Sequence, residues 1–152
     1  MAARSLPHRL ALALLAIATL SIALIALAPE GRLACDEPYV TPDRSPDGRW
    51  TLTLCRRPMF FAMPGGASDA PGWMVLRDDH GAIRGVSSLS MVQLFGQVPP
   101  DMQTTWEADR VWRDMIVELP LVPASSPFRR WLDDRLWRLR ALAGFTPTDD
   151  FR

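Results

Sequence analysis

Two cysteines, Cys35 and Cys55, are the only thiols in the chain, and they bound the stretch CDEPYVTPDRSPDGRWTLTLC. Thiols at the ends of a turn-rich loop can close a disulfide or stay apart as small buried groups, and Cys35 could instead accept a lipid. Leu33-Ala34-Cys35 has the ending of a lipoprotein box, yet Arg32 stands where that motif wants a leucine. Other chemistry-bearing groups are sparse. His80 is the one histidine beyond the N-terminal segment, and it lies in Asp78-Asp79-His80-Gly81, whose residue types a hairpin turn explains by itself. Neighbours in a tight turn seldom converge on a metal, so no metal site is assigned. There is no G-x-S-x-G elbow, no C-x-x-C, no phosphate loop and no H-E-x-x-H. Gly65-Gly66 lacks the strand-to-helix setting of a nucleotide site, and no spacing brings two carboxylates to the separation a glycosidase needs. The expectation is a protein without catalytic residues, metal or cofactor.

The elements that carry these residues begin with a segment unlike the rest. Residues 1–9 hold Arg4 and Arg9 and no acid, and Leu10 to Ala28 is apolar apart from Thr19 and Ser21. As a helix, that run reaches about 28 Å, close to the hydrocarbon thickness of a bilayer. An uncleaved signal anchor over 1–29 is the favoured reading. Ala26-Leu27-Ala28 has the A-x-A form of a cleavage site, but Pro29 follows at once, so cleavage there is an alternative, as is lipidation of Cys35. Arginines without opposing acids before the span, and Glu30, Arg32, Asp36 and Glu37 after it, predict a cytoplasmic N-terminus and an exported C-terminal part. In a bacterium this is a single-pass inner-membrane protein with a periplasmic domain, in a compartment that permits a Cys35–Cys55 disulfide.

Charge restricts the partners. All 17 basic residues are arginine, and beyond residue 29 there are 15 of them against 17 acids. A slightly acidic exported part speaks against nucleic acid, which wants a strongly basic face. Membrane contact is expected through residues 10–28, and the remaining partner is another protein.

The spacing predicts an irregular tether over 30–43, an α+β domain over 44–145 and a tail over 146–152. Ser45-Pro46-Asp47-Gly48 has tight-turn chemistry, and Trp50 to Leu54 alternates as a strand with Trp50, Leu52 and Leu54 on one face. A second hairpin pairs Trp73–Arg77 with Ala82–Val86, and further strands are expected at Met91–Val98, Thr104–Glu107 and Met115–Leu119. Together these make a small antiparallel sheet. Ser125-Ser126-Pro127 and Gly144 bracket a C-terminal amphipathic helix over 127–143. Phe128, Trp131, Leu132, Leu136, Leu139 and Leu142 form its apolar stripe, which is expected to pack on the sheet. The alternative is that its five arginines and two tryptophans lie on an anionic membrane. Aromatic and methionine side chains are enriched at interface cores, so Phe60, Phe61, Met63, Asp69 and Trp73, in and around a Gly-rich loop, are the candidate partner-binding residues, with Trp106 and Trp112 as added aromatic bulk.

An N-terminal membrane signal, S-P-D-G-R-W opening a strand, a cysteine closing it, the hairpin G-W-M-V-L-R-D-D-H-G-A-I and a late W-E-A-D-R-V-W together resemble small exported bacterial proteins of unassigned function. Some of these are similar to periplasmic immunity proteins that sit beside toxins of contact-dependent secretion systems. The resemblance implies a binding role and brings no catalytic residue with it. The resulting expectation is a membrane-tethered periplasmic protein that works by protein–protein contact, as an immunity protein occluding a secreted toxin. An accessory or structural subunit of an inner-membrane complex is the alternative.

Overall fold

A computed structural model describes residues 5–35, 38–57, 70–95, 104–113 and 117–147. The fold is α+β, with helices α1 (Ser5–Ala26) and α2 (Pro127–Ala143) and, among the described residues, seven short strands. The strands form two antiparallel sheets rather than the single one expected. The first holds β1 (Asp43–Arg44), β2 (Trp50–Arg56), β3 (Gly72–Asp78) and β4 (Ile83–Leu89) in that order, and the second holds β5 (Thr104–Trp106), β6 (Arg110–Arg113) and β7 (Val117–Pro120).

Strand β2 forms where alternating β-formers follow the Ser45–Arg49 turn. Asp47 Oδ1 caps that turn by accepting from Ser45 Oγ at 2.6 Å and from Arg49 N–H at 3.1 Å. Its neighbour β3 pairs along its full length, with Leu52 opposite Leu76 and Leu54 opposite Met74. Trp50, Leu52 and Leu54 share one face as expected, and together with Met74, Leu76, Leu89 and Val92 they meet Val111, Val117 and Leu119 of the second sheet. At Gly85 the missing side chain leaves room for Leu119, whose Cδ2 would lie 3.4 Å from an added Cβ. Burial of such side chains contributes about 1.5–3 kcal/mol each before entropy is counted.

The opposite face of the first sheet is also covered. Cys55, Val75, Ile83 and Val86 pack with Leu33 from a 3-10 turn (Gly31–Leu33) and with Trp137 and Ala141 of α2. The body is therefore three layers, α2 on the first sheet and the first sheet on the second.

Helix α2 keeps the predicted limits. Ser126 Oγ accepts from Arg129 N–H at 3.1 Å, Pro127 takes the first position, and Gly144 adopts a left-handed φ of 76° that ends the helix. Three expectations need correction. Val92–Phe95 is a 3-10 turn rather than the start of a strand, which seats Val92 in the core through Val92 N–H to Ala70 O. Strand β6 was not expected; the three-residue break Glu107-Ala108-Asp109 is too short to reveal the hairpin. The stripe on α2 does not face the sheet, as described next.

Candidate functional site

The charged side of α2 faces inward. Asp134, 5% exposed, accepts the Ile83 N–H at 3.0 Å and lies 2.8 Å from Arg138 Nε. Asp133 pairs with Arg84 at 3.1 Å, and Arg130 reaches across to Asp78 at 3.0 Å. Trp137 Nε1 donates to Arg84 O at 3.1 Å, while Arg77 donates to Leu33 O at 2.7 Å and pairs with Glu30. Ion pairs removed from water hold their geometry best when the remaining donors and acceptors are met; backbone groups meet some of them here, while Arg84 Nε is buried without a hydrogen-bond partner. The expected Asp134–Arg138 pair is present, but it is interior rather than on the surface.

Rotation of the charged side inward turns the stripe outward. Phe128 is 69% exposed, Leu142 55% and, just beyond the helix, Phe145 77%; Trp131 is exposed and stacks on Phe128 with ring centroids 6.0 Å apart. Leu132, Leu136 and Leu139 are only half-buried. A helix on a soluble sheet normally shows the reverse. The end of α1 packs beside α2, and Arg135 Nη1 donates to Ala28 O at 2.9 Å.

Helix α1 is apolar all round. Its window Arg9–Ala26 has a mean hydropathy of 2.3 and contains no fully buried residue, and Leu10, Leu14, Ile17 and Ile22 all stand exposed. By length and composition it can cross a membrane, and a signal sequence has the same features. Below it, Cys35 and Cys55 form a disulfide as expected, with Cα atoms 5.1 Å apart.

On the far side of the body, the outer face of the second sheet carries the cross-strand row Thr105, Trp112 and Glu118. Trp112 is half-buried between two exposed neighbours. Arg110 is ringed by Asp109 at 3.0 Å, Glu118 at 2.9 Å and Glu107 at 3.5 Å. The hydrogen bond to Asp109 and the three carboxylate charges hold the Arg110 guanidinium above its ordinary range, and the same bond lowers Asp109. The two sheets are clamped at one edge by Arg113, fully buried, which pairs with Asp43 and donates to Thr104 Oγ1 at 2.6 Å.

Of the candidate binding residues, Phe60, Phe61, Met63 and Asp69 lie outside the described residues. Trp73 is half-buried, sits opposite Cys55 and Ser88, and packs against the cluster under α2. The ligand atoms of Asp78, Asp79 and His80 come within 4.8 Å of one another, and their partners are internal. Asp78 Oδ1 accepts from His80 N–H and Ala82 N–H, each at 3.0 Å, and Asp79 Oδ1 lies 2.5 Å from His80 Nδ1. That hydrogen bond from His80 is the main reason the Asp79 carboxyl titrates below its ordinary value.

Comparison with known proteins finds no matching family model, no matching curated protein and no matching solved structure. The reading of function therefore comes from the two surfaces above. The sequence exposed the stripe but hid its direction; the signal that could have revealed it is the pairing of Trp137 and Ala141 with acids and arginines on the side opposite Phe128.

Proposed function

We propose that this chain is an exported binding protein, held at a membrane by α1 and acting through contacts with another protein. A secreted toxin, neutralised by occlusion of its active site, is the partner that the resemblance to immunity proteins suggests. The reading is supported most directly by one juxtaposition. An all-round apolar helix leads straight into a body closed by a disulfide, a pairing suited to an anchor followed by an oxidising compartment. The outer face of the second sheet offers what such a contact uses, an aromatic centre at Trp112 with acidic groups around it and an arginine among them.

The test is a pull-down of the tagged full chain from gently solubilised envelopes, with bait and partners weighed intact under non-reducing conditions. The expected result is an uncleaved chain, lighter by the hydrogens lost on forming the disulfide, with one secreted protein bound. A lipid on Cys35, or a mature chain starting after Ala28, would refute the anchor. Recovery with membrane subunits in place of a secreted protein would favour an assembly role, and loss of assembly when α1 is replaced by a cleavable signal would establish it.

A further inference from the structure

We infer that the outward face of α2 is a membrane-contact surface, seated on the bilayer leaflet from which the end of α1 emerges. The inference rests on the reading of α1 as a membrane anchor and extends it to the body. Its first support is continuity. Ile25 and Ala26, the last residues of α1, are partly buried where the helix meets α2, whereas Arg9 to Leu24 are exposed. Arg135 bonds Ala28 O, and an added Cβ on Gly31 would lie 3.9 Å from Leu142 Cδ2. The stripe thus begins where the span ends, and a helix of 17 residues carries it on for about 25 Å.

Its second support is what the face contains and lacks. Phe128, Trp131, Leu142 and Phe145 are the aromatic and aliphatic groups that settle at the headgroup boundary, to a depth of about 5–10 Å. The two acids of α2, Asp133 and Asp134, both point to the sheet, so the helix itself carries no carboxylate into the interface. The one arginine among the apolar positions, Arg135, donates Nη1 to Ala28 O, and its long side chain can carry the charged head along the surface toward water. A soluble partner would leave the same face bare in the unbound state, a large apolar patch that isolated domains avoid. Most α2 arginines are engaged inside the body, so this contact is apolar in origin and depends weakly on salt and on anionic lipid.

A geometric consequence follows for the layers. With α2 on the bilayer, the first sheet stands above it and the row Thr105, Trp112 and Glu118 faces away from the membrane, toward any arriving partner.

The experiment places nitroxide labels on single added cysteines in the full chain, disulfide intact, reconstituted in phosphatidylcholine nanodiscs. Leu14→Cys reports α1, Phe128→Cys and Leu142→Cys report the face, and Thr105→Cys reports the far sheet. Relaxation by oxygen relative to a water-soluble nickel chelate is expected to be several-fold greater at 14, 128 and 142 than at 105, unchanged in high salt. Labels at 128 and 142 that behave like 105 while 14 reads as lipid would leave the anchor standing and overturn the inference. Labels at 128 and 142 shielded from both reagents would overturn it in favour of a protein contact, a second copy or a membrane subunit. A water-like signal at 14 would remove the anchor itself and the inference with it.

Discussion

Replacement of Asp134 by alanine tests whether α2 is held by its charged side. In the native fold this carboxylate accepts the Ile83 N–H at 3.0 Å and lies 2.8 Å from Arg138 Nε. Alanine leaves the Ile83 donor without its partner, a loss of about 1–3 kcal/mol, and leaves Arg138 with Glu30 at 3.8 Å. Breaking a buried ion pair costs about 3–5 kcal/mol, and Arg138 keeps some contact with water, so the low end applies and Asp134→Ala should cost about 3–4 kcal/mol in all. Asp134→Asn keeps an acceptor for Ile83 and loses only the charge, so it should cost about half as much. The double replacement Asp134→Leu with Arg138→Leu should recover much of the loss, because neither charge is then left alone. Phe128→Ala, by contrast, should stay within about 0.5 kcal/mol in detergent, as surface changes do. Urea unfolding of the detergent-solubilised full chain, followed by tryptophan fluorescence, reads all four. A mild Asp134→Ala together with a Phe128→Ala loss above about 3 kcal/mol, the cost of a core aromatic, would refute the inverted helix.

Three further outcomes are expected. Reduction of the disulfide, or Cys35→Ala with Cys55→Ala, reopens a loop of 20 residues' separation and should lower stability by about 3 kcal/mol, seen as a melting temperature lower by on the order of 10 °C. Gly72→Ala would put a Cβ 2.2 Å from the Cys55 carbonyl oxygen and 2.3 Å from Val92 Cγ2, so a loss at or above the top of the roughly 1–3 kcal/mol range for overpacking is expected in the same urea titration. Asp47 is held at about 2, against an ordinary 3.8, first by Ser45 Oγ and then by the N–H and guanidinium of Arg49. Its folded value is depressed, so its contribution is complete above the ordinary value and fades as pH falls toward and through about 2. Nuclear magnetic resonance of the 45–49 turn should show that transition, and Asp47→Asn should abolish it.

Local signals in the sequence were reliable where a short stretch decides the outcome. Ser126, Pro127 and Gly144 set both ends of α2 without tertiary help, and Trp50 to Leu54 declared its two faces because a strand must alternate. The face of α2 was not legible in this way. Apolar positions were assigned to the sheet on the premise that the least aqueous side of a helix is inward, and an adjacent apolar span removes that premise. The sheet split was equally hidden, since β5 to β7 are three or four residues each and their place against the first sheet involves distant contacts such as Arg113 with Asp43 across 70 positions. The cysteine pair was legible as one of several outcomes, and only the arrangement in space chose among them.

The stretch 30–43, read as an irregular tether, is pinned wherever it is described. Glu30 pairs with Arg77, Cys35 is bonded to Cys55, Pro38 bridges to Cys55, Tyr39 N–H donates to Leu54 O, and Asp43 enters β1. A free chain of that length would let the body range over about 20 Å and offer linker bonds to any extracytoplasmic protease. Pinned, it gives the body no leash, and a single cut between residues 35 and 55 leaves both pieces joined by the disulfide, whereas residues 30–34 lie outside that loop. If α1 anchors the chain as proposed, a protein partner would have to come to the membrane surface to be bound.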